Sequence, residues 1–319
     1  MTTLKSRALR KGDKVGVISP SEPIVYKKKF LRGVETLENL GFRVVLGKNV
    51  FKNYGAYMAG TDKERASDIN AMFKNPKIRG IFCSHGGFNS NQLLDLIDYD
   101  TVRKNPKVFM GFSDITVLLN AIYKKTGLIV FHGQNVEFGF SRGFSGKNKY
   151  TFKYFSAATM AVRPIGLIKN WRGPIDILKK GKASGNLIGG NLEVLMTLIG
   201  TEYEPDWRNK ILFWEEYQAT NEDIDFYLTH LRLCGALSKI SGMVVGKLTE
   251  IKSIKISAKP EKSLSVGKII LNNCRDYKFP IIKNIAAGHY YPQITIPIGA
   301  KATINTSKKI FSIDESGVI

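Results

Sequence analysis

The sequence alternates short apolar runs with segments of helical period, and this alternation constrains the fold more than any other feature. The apolar runs lie at 15–19, 43–46, 80–83, 108–112 and 128–131, and the helical segments at 30–40, 62–73 and 115–124. Thr61 is a predicted N-cap of the second helix. Buried strands joined by helices are typical of a parallel sheet covered on both faces, so we predict an α/β fold.

A second block of the same kind follows a segment of different composition. Residues 141–182 are rich in Gly, Lys and aromatic residues and lack a sustained period, which indicates a linker with one short helix at 150–159. Beyond it we predict helices at 190–199, 222–233 and 265–274, strands at 211–214, 242–245 and 281–287, and a β hairpin from Thr295 onward. Because 319 residues are many for one small core, we predict an N-terminal domain at 1–140 and a C-terminal α/β domain at 183–319.

The chain is strongly basic, with 48 Lys and Arg against 27 Asp and Glu and a net charge of +21. Such a charge attracts polyanions. The basic residues are scattered, however, and no helix-turn-helix, zinc-finger or RNA-recognition pattern accompanies them. We interpret the charge as a solvated surface and expect no nucleic-acid partner.

The sequence also bears on the compartment. No apolar stretch reaches the roughly 18 residues that a membrane helix needs, and no apolar region follows the basic N-terminus, as it would in a signal peptide. The three cysteines are an odd number without paired spacing, which is typical of reduced thiols. We expect a cytoplasmic protein that does not contact a membrane.

In open parallel sheets, ligands bind beyond the carboxyl ends of the strands, and a serine follows one such end. In G-F-S-D-I-T (111–116) a predicted strand meets a helix. Ser113 could be exposed there as a nucleophile, with the backbone N–H of Asp114 directed at a developing oxyanion. Ser113 could instead merely cap the helix, and a lone G-x-S-x pattern is a weak indication of a nucleophile.

Paired glycines follow another strand, in S-H-G-G-F-N-S-N (84–91). Gly86 and Gly87 would let the backbone approach a ligand closely, which suits an oxyanion hole or a phosphate. An ordinary turn is the alternative. For His85 a structural role is favoured.

Acids and histidines follow strands in both blocks. Glu215 and Glu216 come directly after an apolar strand, where a carboxylate can orient a histidine. A plain turn that leads into a helix is the alternative, and it is the commoner case. Of the four histidines, His289 follows Gly288 at a strand end, and His132 follows a strand in the same domain as Ser113. Both are candidate bases, whereas His230 lies within a predicted helix.

Patterns that bind metals or cofactors do not occur. The sequence lacks H-E-x-x-H and C-x-x-C, and S-P-S-E-P rather than G-x-G-x-x-G follows the first strand. G-x-x-x-x-G-K-[ST] is also absent. We predict neither a metal nor an organic cofactor.

Together, ten stretches of the chain resemble the LD-carboxypeptidase family of serine peptidases, which includes the microcin C self-immunity peptidase. They follow the family's order over nearly the whole chain: G-V-I-S-P-S (16–21), G-T-D-K-E-R-A-S-D-I-N (60–70), G-G-F-N-S-N-Q-L-L (86–94), D-Y-D (98–100), N-P-K-V-F-M-G-F-S-D-I-T-V-L-L (105–119), K-T-G-L-I-V-F-H-G (125–133), G-N-L-I-G-G-N-L (185–192), I-L-F-W-E-E (211–216), L-T-H-L-R-L (228–233) and G-H-Y-Y-P-Q-I-T-I-P-I-G (288–299).

The resemblance implies a catalytic triad of Ser113, Glu215 and His289, with an oxyanion hole from the backbone of Asp114 and of Gly86 and Gly87. It also implies a Rossmann-like N-terminal domain, a smaller C-terminal α/β domain of the swivelling β/α type, and a homodimer. The nucleophile would then lie on one domain, and the acid and base on the other.

Substrate specificity is less constrained. The resemblance implies that residues between the domains help to hold the nucleotide in immunity peptidases, but that region is short here and Trp171 is its only obvious aromatic candidate. N-S-N after the glycines is closer to the immunity branch. The candidates for substrate binding are Asn89, Asn91, Asn191 and Trp171.

Three functions follow as hypotheses. The favoured one is a serine carboxypeptidase that cleaves an L,D amide bond of a cell-wall peptide. The second is a self-immunity amidase that cleaves an aminoacyl- or peptidyl-nucleotide. The third is a non-catalytic protein that binds a ligand or nucleic acid through its basic surface.

Overall fold

The computed structural model describes residues 3–253 and 263–319, so parts of both predicted domains, residues 1, 2 and 254–262, lie outside the described residues. Its elements follow in chain order: β1 (Lys14–Ile18), α1 (Lys27–Asn39), β2 (Arg43–Leu46), α2 (Asp62–Lys74), β3 (Ile78–Cys83), α3 (Tyr99–Lys104), β4 (Val108–Gly111), α4 (Thr116–Thr126), β5 (Val130–His132), α5 (Lys149–Thr159), β6 (Gly166–Leu167), β7 (Asp176–Lys179), β8 (Lys182–Asn191), α6 (Leu192–Met196), β9 (Lys210–Tyr217), α7 (Asn221–Leu233), α8 (Ala236–Lys239), β10 (Gly242–Thr249), α9 (Val266–Asn273), β11 (Ile281–Ile285), β12 (Ile296–Ile298), β13 (Lys301–Asn305) and β14 (Ile310–Ile313). None of the described helices is both long and apolar enough to cross a membrane.

The first sheet carries the strands of the N-terminal half. Over the residues described, its order is β12-β5-β4-β3-β1-β2. The five strands β1 to β5 run parallel, and β1, β3, β4 and β5 are almost wholly buried because apolar side chains fill both faces of the sheet. The predicted α/β fold with a parallel sheet is confirmed.

The second sheet belongs to the C-terminal half. In the described part of the chain its order is β6-β14-β13-β8-β9-β10-β11-β7. The central strands β8 to β11 are parallel, and the outer strands β13, β14, β6 and β7 are antiparallel to their neighbours. Asn191, the last residue of β8, pairs with Glu215 near the end of β9. The predicted acid therefore lies at the carboxyl-terminal end of the central parallel strands.

Most predicted elements agree with the structure. β2 has the predicted bounds, and α2 begins as expected after Thr61. The Glu64 backbone N–H donates to Thr61 Oγ1 (3.3 Å), and the Thr61 backbone N–H donates to Glu64 Oε2 (3.0 Å). This capping box satisfies two N–H groups that the first helical turn leaves free.

Two expectations near the domain junction differ from the structure. Residues 141–182 contain the expected helix, α5, but also β6 and β7, which join the second sheet. Residues 190 and 191, expected as the start of a helix, instead end strand β8. The glycines of G-N-L-I-G-G-N weaken the strand signal, because glycine is uncommon in strand interiors.

The expected hairpin from Thr295 is wrong in its pairing. β12 pairs antiparallel with β5 of the first sheet, through Ile296 with His132 and Ile298 with Val130. After Gly299, which has a φ of +97°, the chain enters the second sheet and forms its hairpin between β13 and β14. Local alternation predicts strands but cannot distinguish their sheets.

Hydrogen bonds join helix α4, which follows the predicted nucleophile, to strand β8 of the second sheet. The Asn120 side chain on α4 donates to Gly189 O (2.9 Å) and accepts from the Gly189 N–H (3.0 Å). One turn earlier, Thr116 Oγ1 accepts from the Asn191 N–H (2.9 Å). Helix α4, which follows Ser113, is therefore fixed against the strand that neighbours Glu215.

Candidate active site

Ser113 lies in a strained turn between β4 and α4. It opens a single 3-10 turn, Ser113–Ile115, and has a φ of +65°. A positive φ is uncommon for a residue other than glycine, and such strain is found mostly at functional sites. The turn matches the sharp strand-to-helix connection that exposes a nucleophilic serine above a sheet.

His289 approaches Ser113 from the second sheet. Its Nε2 lies 3.1 Å from Ser113 Oγ, and its Nδ1 lies 2.8 Å from Glu215 Oε2. The His289 backbone N–H donates to the same carboxylate oxygen (3.0 Å). The structure therefore brings together the three residues of the predicted triad, which come from the turn after β4, from β9 and from the loop after β11.

Two aromatic rings orient the imidazole of His289. The Tyr217 ring stacks on it nearly in parallel, with centroids 4.7 Å apart and planes at 10°, and Phe112 contacts it edge-on at 4.9 Å. Phe112 directly precedes Ser113, and Tyr217 ends β9. The sequence analysis did not identify Tyr217, although its position two residues after Glu215 places it on the same face of a strand.

Glu215 is completely buried, and glycines make room for it. A β-carbon at position 288, where φ is +94°, would collide with the Glu215 carboxylate, so glycine is required there. Burial alone would raise the pKa of the Glu215 carboxyl, but His289 and His132 hold it well below its usual range. The carboxylate is therefore charged.

The charge of Glu215 acts on His289 in turn. Burial disfavours the imidazolium, yet the Glu215 charge and hydrogen bond, with a contribution from Glu216, raise the pKa of His289 above its ordinary 6.5. Burial and the neighbouring Glu215 charge raise the pKa of Glu216 to about 7. An imidazole that holds a proton more tightly is a stronger base once it is neutral.

The glycine turn after β3 lies against the nucleophile. A β-carbon on residue 86 would lie 2.8 Å from Ser113 Cβ and 3.1 Å from Ser113 Oγ, and Gly87 has a φ of +122°. The backbone of this turn can approach Ser113 closely because both residues lack side chains.

Asp114 has a side-chain contact that the sequence did not predict. Its buried carboxylate accepts from Ser21 Oγ (2.6 Å) and from the Ser90 N–H (2.9 Å), and its carbonyl accepts from Ser90 Oγ (2.7 Å). Asp114 thereby joins the loops after β1, β3 and β4 around the nucleophile.

The other histidines have different surroundings. His132 is fully buried, and its Nε2 lies 3.8 Å from Glu215 Oε1, on the opposite side of the carboxylate from His289. His85 lies near Glu22, and burial, with a contribution from the His289 charge, lowers its pKa to about 4. His230 is exposed on α7.

The four candidates for substrate binding have different surroundings. Asn89 has a φ of +68° and accepts through its carbonyl from Arg65, and Asn91 is exposed. The Asn191 side chain caps α6 and donates to Glu216 Oε1 (2.8 Å). The Trp171 ring packs 5.2 Å from that of Tyr150. Their role in substrate binding stays a prediction.

Within residues 3–253 and 263–319, no three or more His, Cys, Asp or Glu residues form a group that could hold a metal ion.

Comparison with known proteins gives two family matches, one in each half of the chain. Residues 15–133 match the family model described as the LD-carboxypeptidase N-terminal domain, and residues 184–304 match the LD-carboxypeptidase C-terminal domain. A probable murein peptide carboxypeptidase of Bacillus subtilis is 36% identical over 98% of this chain and 95% of its own length. The microcin C7 self-immunity protein of Escherichia coli is 33% identical over 98% and 96%, respectively.

Solved structures are similar over the same extent. The microcin C7 self-immunity protein in complex with aspartyl sulfamoyl adenosine has a TM-score of 0.88 at 29% identity, covering 99% of this chain and 100% of that chain. The muramoyltetrapeptide carboxypeptidase of Oxalobacter formigenes has a TM-score of 0.79 at 25% identity, covering 95% and 99%.

Proposed function

This chain belongs to the LD-carboxypeptidase family, and from that membership we propose that it cleaves an L,D amide bond of a cell-wall-derived peptide through Ser113, His289 and Glu215. That it is a serine carboxypeptidase follows from the family and its named relatives. The observation that carries the proposed mechanism is the unbroken contact from Glu215 through His289 to Ser113, at 2.8 and 3.1 Å.

Acylation begins with proton transfer from the serine. His289 Nε2 accepts the Ser113 proton as Oγ attacks the carbonyl carbon of the scissile amide. Glu215 accepts the Nδ1–H of His289, which holds the tautomer with a free Nε2 and stabilises the imidazolium that forms. The pair needs no rearrangement for this step because both contacts already exist.

The tetrahedral oxyanion requires donors beside Ser113. We assign this role to the backbone N–H groups of Asp114 and of the Gly86–Gly87 turn, supported by the close approach of residue 86 to Ser113. Donors fixed in advance supply a large part of the rate in acyl transfer. His289 then protonates the leaving amine, the C–N bond breaks, and water hydrolyses the acyl-enzyme with His289 again as base.

The relatives support two substrates. The murein peptide carboxypeptidase, with the highest identity quoted above, supports a cell-wall peptide. The self-immunity protein, with a TM-score of 0.88 against 0.79 for the muramoyltetrapeptide carboxypeptidase, supports an aminoacyl-nucleotide as the second candidate. In that case the Tyr150–Trp171 pair offers an aromatic surface on which a base could stack.

A non-catalytic binding protein is the weakest of the three hypotheses. A protein that only binds an anion through its net charge of +21 does not need a buried carboxylate, an imidazole that contacts it and a strained serine that contacts the imidazole. Binding to nucleic acid that weakens steeply with salt and ignores sequence would reflect the charge alone.

Incubation with two substrates tests the proposal. We expect a murein tetrapeptide to lose its terminal D-residue and an aminoacyl sulfamoyl adenylate to be cleaved much more slowly, with products identified by mass spectrometry and Ser113→Ala as the control. Faster cleavage of the adenylate would reverse the choice of substrate. Cleavage of neither by the wild type would contradict the proposed activity.

The pH dependence of the reaction follows from His289. The base must be neutral, so activity should rise with pH through an apparent pKa above 6.5, because Glu215 raises the pKa of His289. His85, Glu215 and Glu216 also titrate near this ring, so the observed value belongs to the cluster. Measurement of kcat/KM against pH checks this, and an acid limb below 6.5 would contradict it.

A further inference from the structure

Glu215 has a histidine on each side, and only one of them reaches Ser113. We propose that His132 is a positioning residue for the reaction, holding Glu215 through Oε1 so that Oε2 stays directed at His289. This inference rests on the proposed function, since it assigns His132 a role in the same mechanism.

The two facing atoms lack other partners. Glu215 Oε1 and His132 Nε2 lie 3.8 Å apart on side chains that are both 0% exposed. Among the described residues, neither atom has a hydrogen-bond partner. A buried carboxylate oxygen without a donor destabilises the folded state, and an N–H on His132 Nε2 is a donor that faces it.

The surroundings of His132 leave it aimed at Glu215. On strand β5 it pairs with Ile296 of β12 and with Gly111 of β4, so its backbone is fixed on both sides. Its ring lies edge-on to Phe213, with centroids 5.1 Å apart, and to Phe112 at 5.9 Å. Neither ring offers the imidazole a strong hydrogen-bond acceptor.

The gap is small enough to close during the reaction. A charge-assisted N–H···O bond is about 2.8 Å long, so a movement of roughly 1 Å suffices. Catalytic hydrogen bonds are often long in ligand-free structures and shorten when substrate binds. The Nε2–H of His132 would then donate to Oε1 while the Nδ1–H of His289 donates to Oε2.

This second contact affects His289 through the shared carboxylate. The titratable groups that act on His289 are Glu215 and Glu216, and the His85 side chain also lies near it. Without a donor on Oε1, the Glu215 charge acts more fully on His289, which raises the pKa of His289 further. Loss of His132 should therefore slow the reaction and move its acid limb to higher pH.

Four variants of His132 test the proposal. His132→Gln keeps an N–H that reaches Oε1, His132→Asn has a shorter amide, His132→Leu is apolar with similar volume, and His132→Ala leaves a cavity. The main measurement is the rate at which a fluorophosphonate probe modifies Ser113, as a function of pH, because it does not depend on the identity of the peptide. Thermal unfolding is measured alongside, and kcat and KM with the tetrapeptide.

We expect His132→Leu and His132→Asn to lower the labelling rate and kcat by about 10- to 100-fold with little change in KM, and to shift the acid limb upward. His132→Gln should retain most of the labelling rate and of kcat, and its acid limb should lie at the same pH as that of the wild type. If His132→Leu or His132→Ala does not fold, the contrast between Gln and Asn remains decisive.

Two results would overturn the inference. One is that all four variants have the same labelling rate and the same acid limb as the wild type. The other is that His132→Gln and His132→Asn lose the same amount of labelling rate while the acid limb does not move, which would indicate that His132 acts through packing alone. Failure of the proposed function is distinguishable, because the wild type would then resist the probe and cleave neither substrate.

Discussion

Replacement of Ser113 by alanine is expected to abolish hydrolysis, lowering kcat by on the order of 10⁶-fold, as loss of a serine nucleophile does elsewhere. The folded state should hardly change. The side-chain hydrogen bond found for this hydroxyl among the described residues is the one with His289, and alanine tolerates the φ of +65° no worse than serine does. The free energy of unfolding should stay within about 0.5 kcal/mol of the wild type.

Activity assays and thermal unfolding on the same samples check this expectation. Ser156→Ala is a matched control, because Ser156 lies on α5 and its hydroxyl donates to Lys153 O within the same helix. It should behave as the wild type in both assays. Turnover by Ser113→Ala at a wild-type rate would exclude Ser113 as the nucleophile.

Replacement of His289 by alanine should cost as much activity as loss of Ser113, and the double variant should be no worse than either one, because the triad acts as a unit. Its effect on stability should differ. Without His289, the buried charge of Glu215 loses its close partner, which typically destabilises a protein by about 3–5 kcal/mol.

The difference in stability between His289→Ala and the wild type should depend on pH. In the wild type, Glu215 raises the pKa of His289 above its ordinary 6.5, and His289→Ala lacks this contribution. The wild-type native state therefore binds more protons at His289 than the unfolded state does, and gains stability as the pH falls through the raised pKa. The stability deficit of His289→Ala relative to the wild type, measured by urea unfolding, should widen as the pH falls from alkaline values toward 6.5.

His289→Asn is the matched control. Its side-chain N–H can replace Nδ1–H as a donor to Glu215, so it should be inactive but closer to wild-type stability. Activity that survives in His289→Ala and disappears in His132→Ala would show that the base is the other histidine.

The strands of the first sheet could be predicted from sequence because they are buried on both faces. Runs such as 80–83 and 108–112 are apolar throughout, and their bounds agree with β3 and β4 within about two residues. β8 could not be predicted in this way, since its glycines give no apolar alternation. The pairing of β12 with β5 joins residues more than 160 positions apart, which local pattern cannot indicate.

The candidate site was only partly predictable. The position of Ser113 after a strand fits both a nucleophile and a helix cap, and His132 was a second candidate for the base beside His289. The resemblance of ten stretches to the LD-carboxypeptidase family is what favoured the nucleophile for Ser113 and His289 as the base. Neither route predicted the stacking of Tyr217, the buried contacts of Asp114 or the position of Glu215 between two histidines, because these depend on how two sheets meet.

The antiparallel pairing of β12 with β5 also bears on synthesis of the chain. The edge of the first sheet lacks this strand until residues 296–298 have been made, long after β1 to β5. The nucleophile's sheet therefore stays incomplete while β6 to β11 are synthesised, even though its first five strands are made early. A fragment that ends before β12 should expose the backbone of β5 as an open edge prone to aggregation, so the two halves are poor candidates for separate expression.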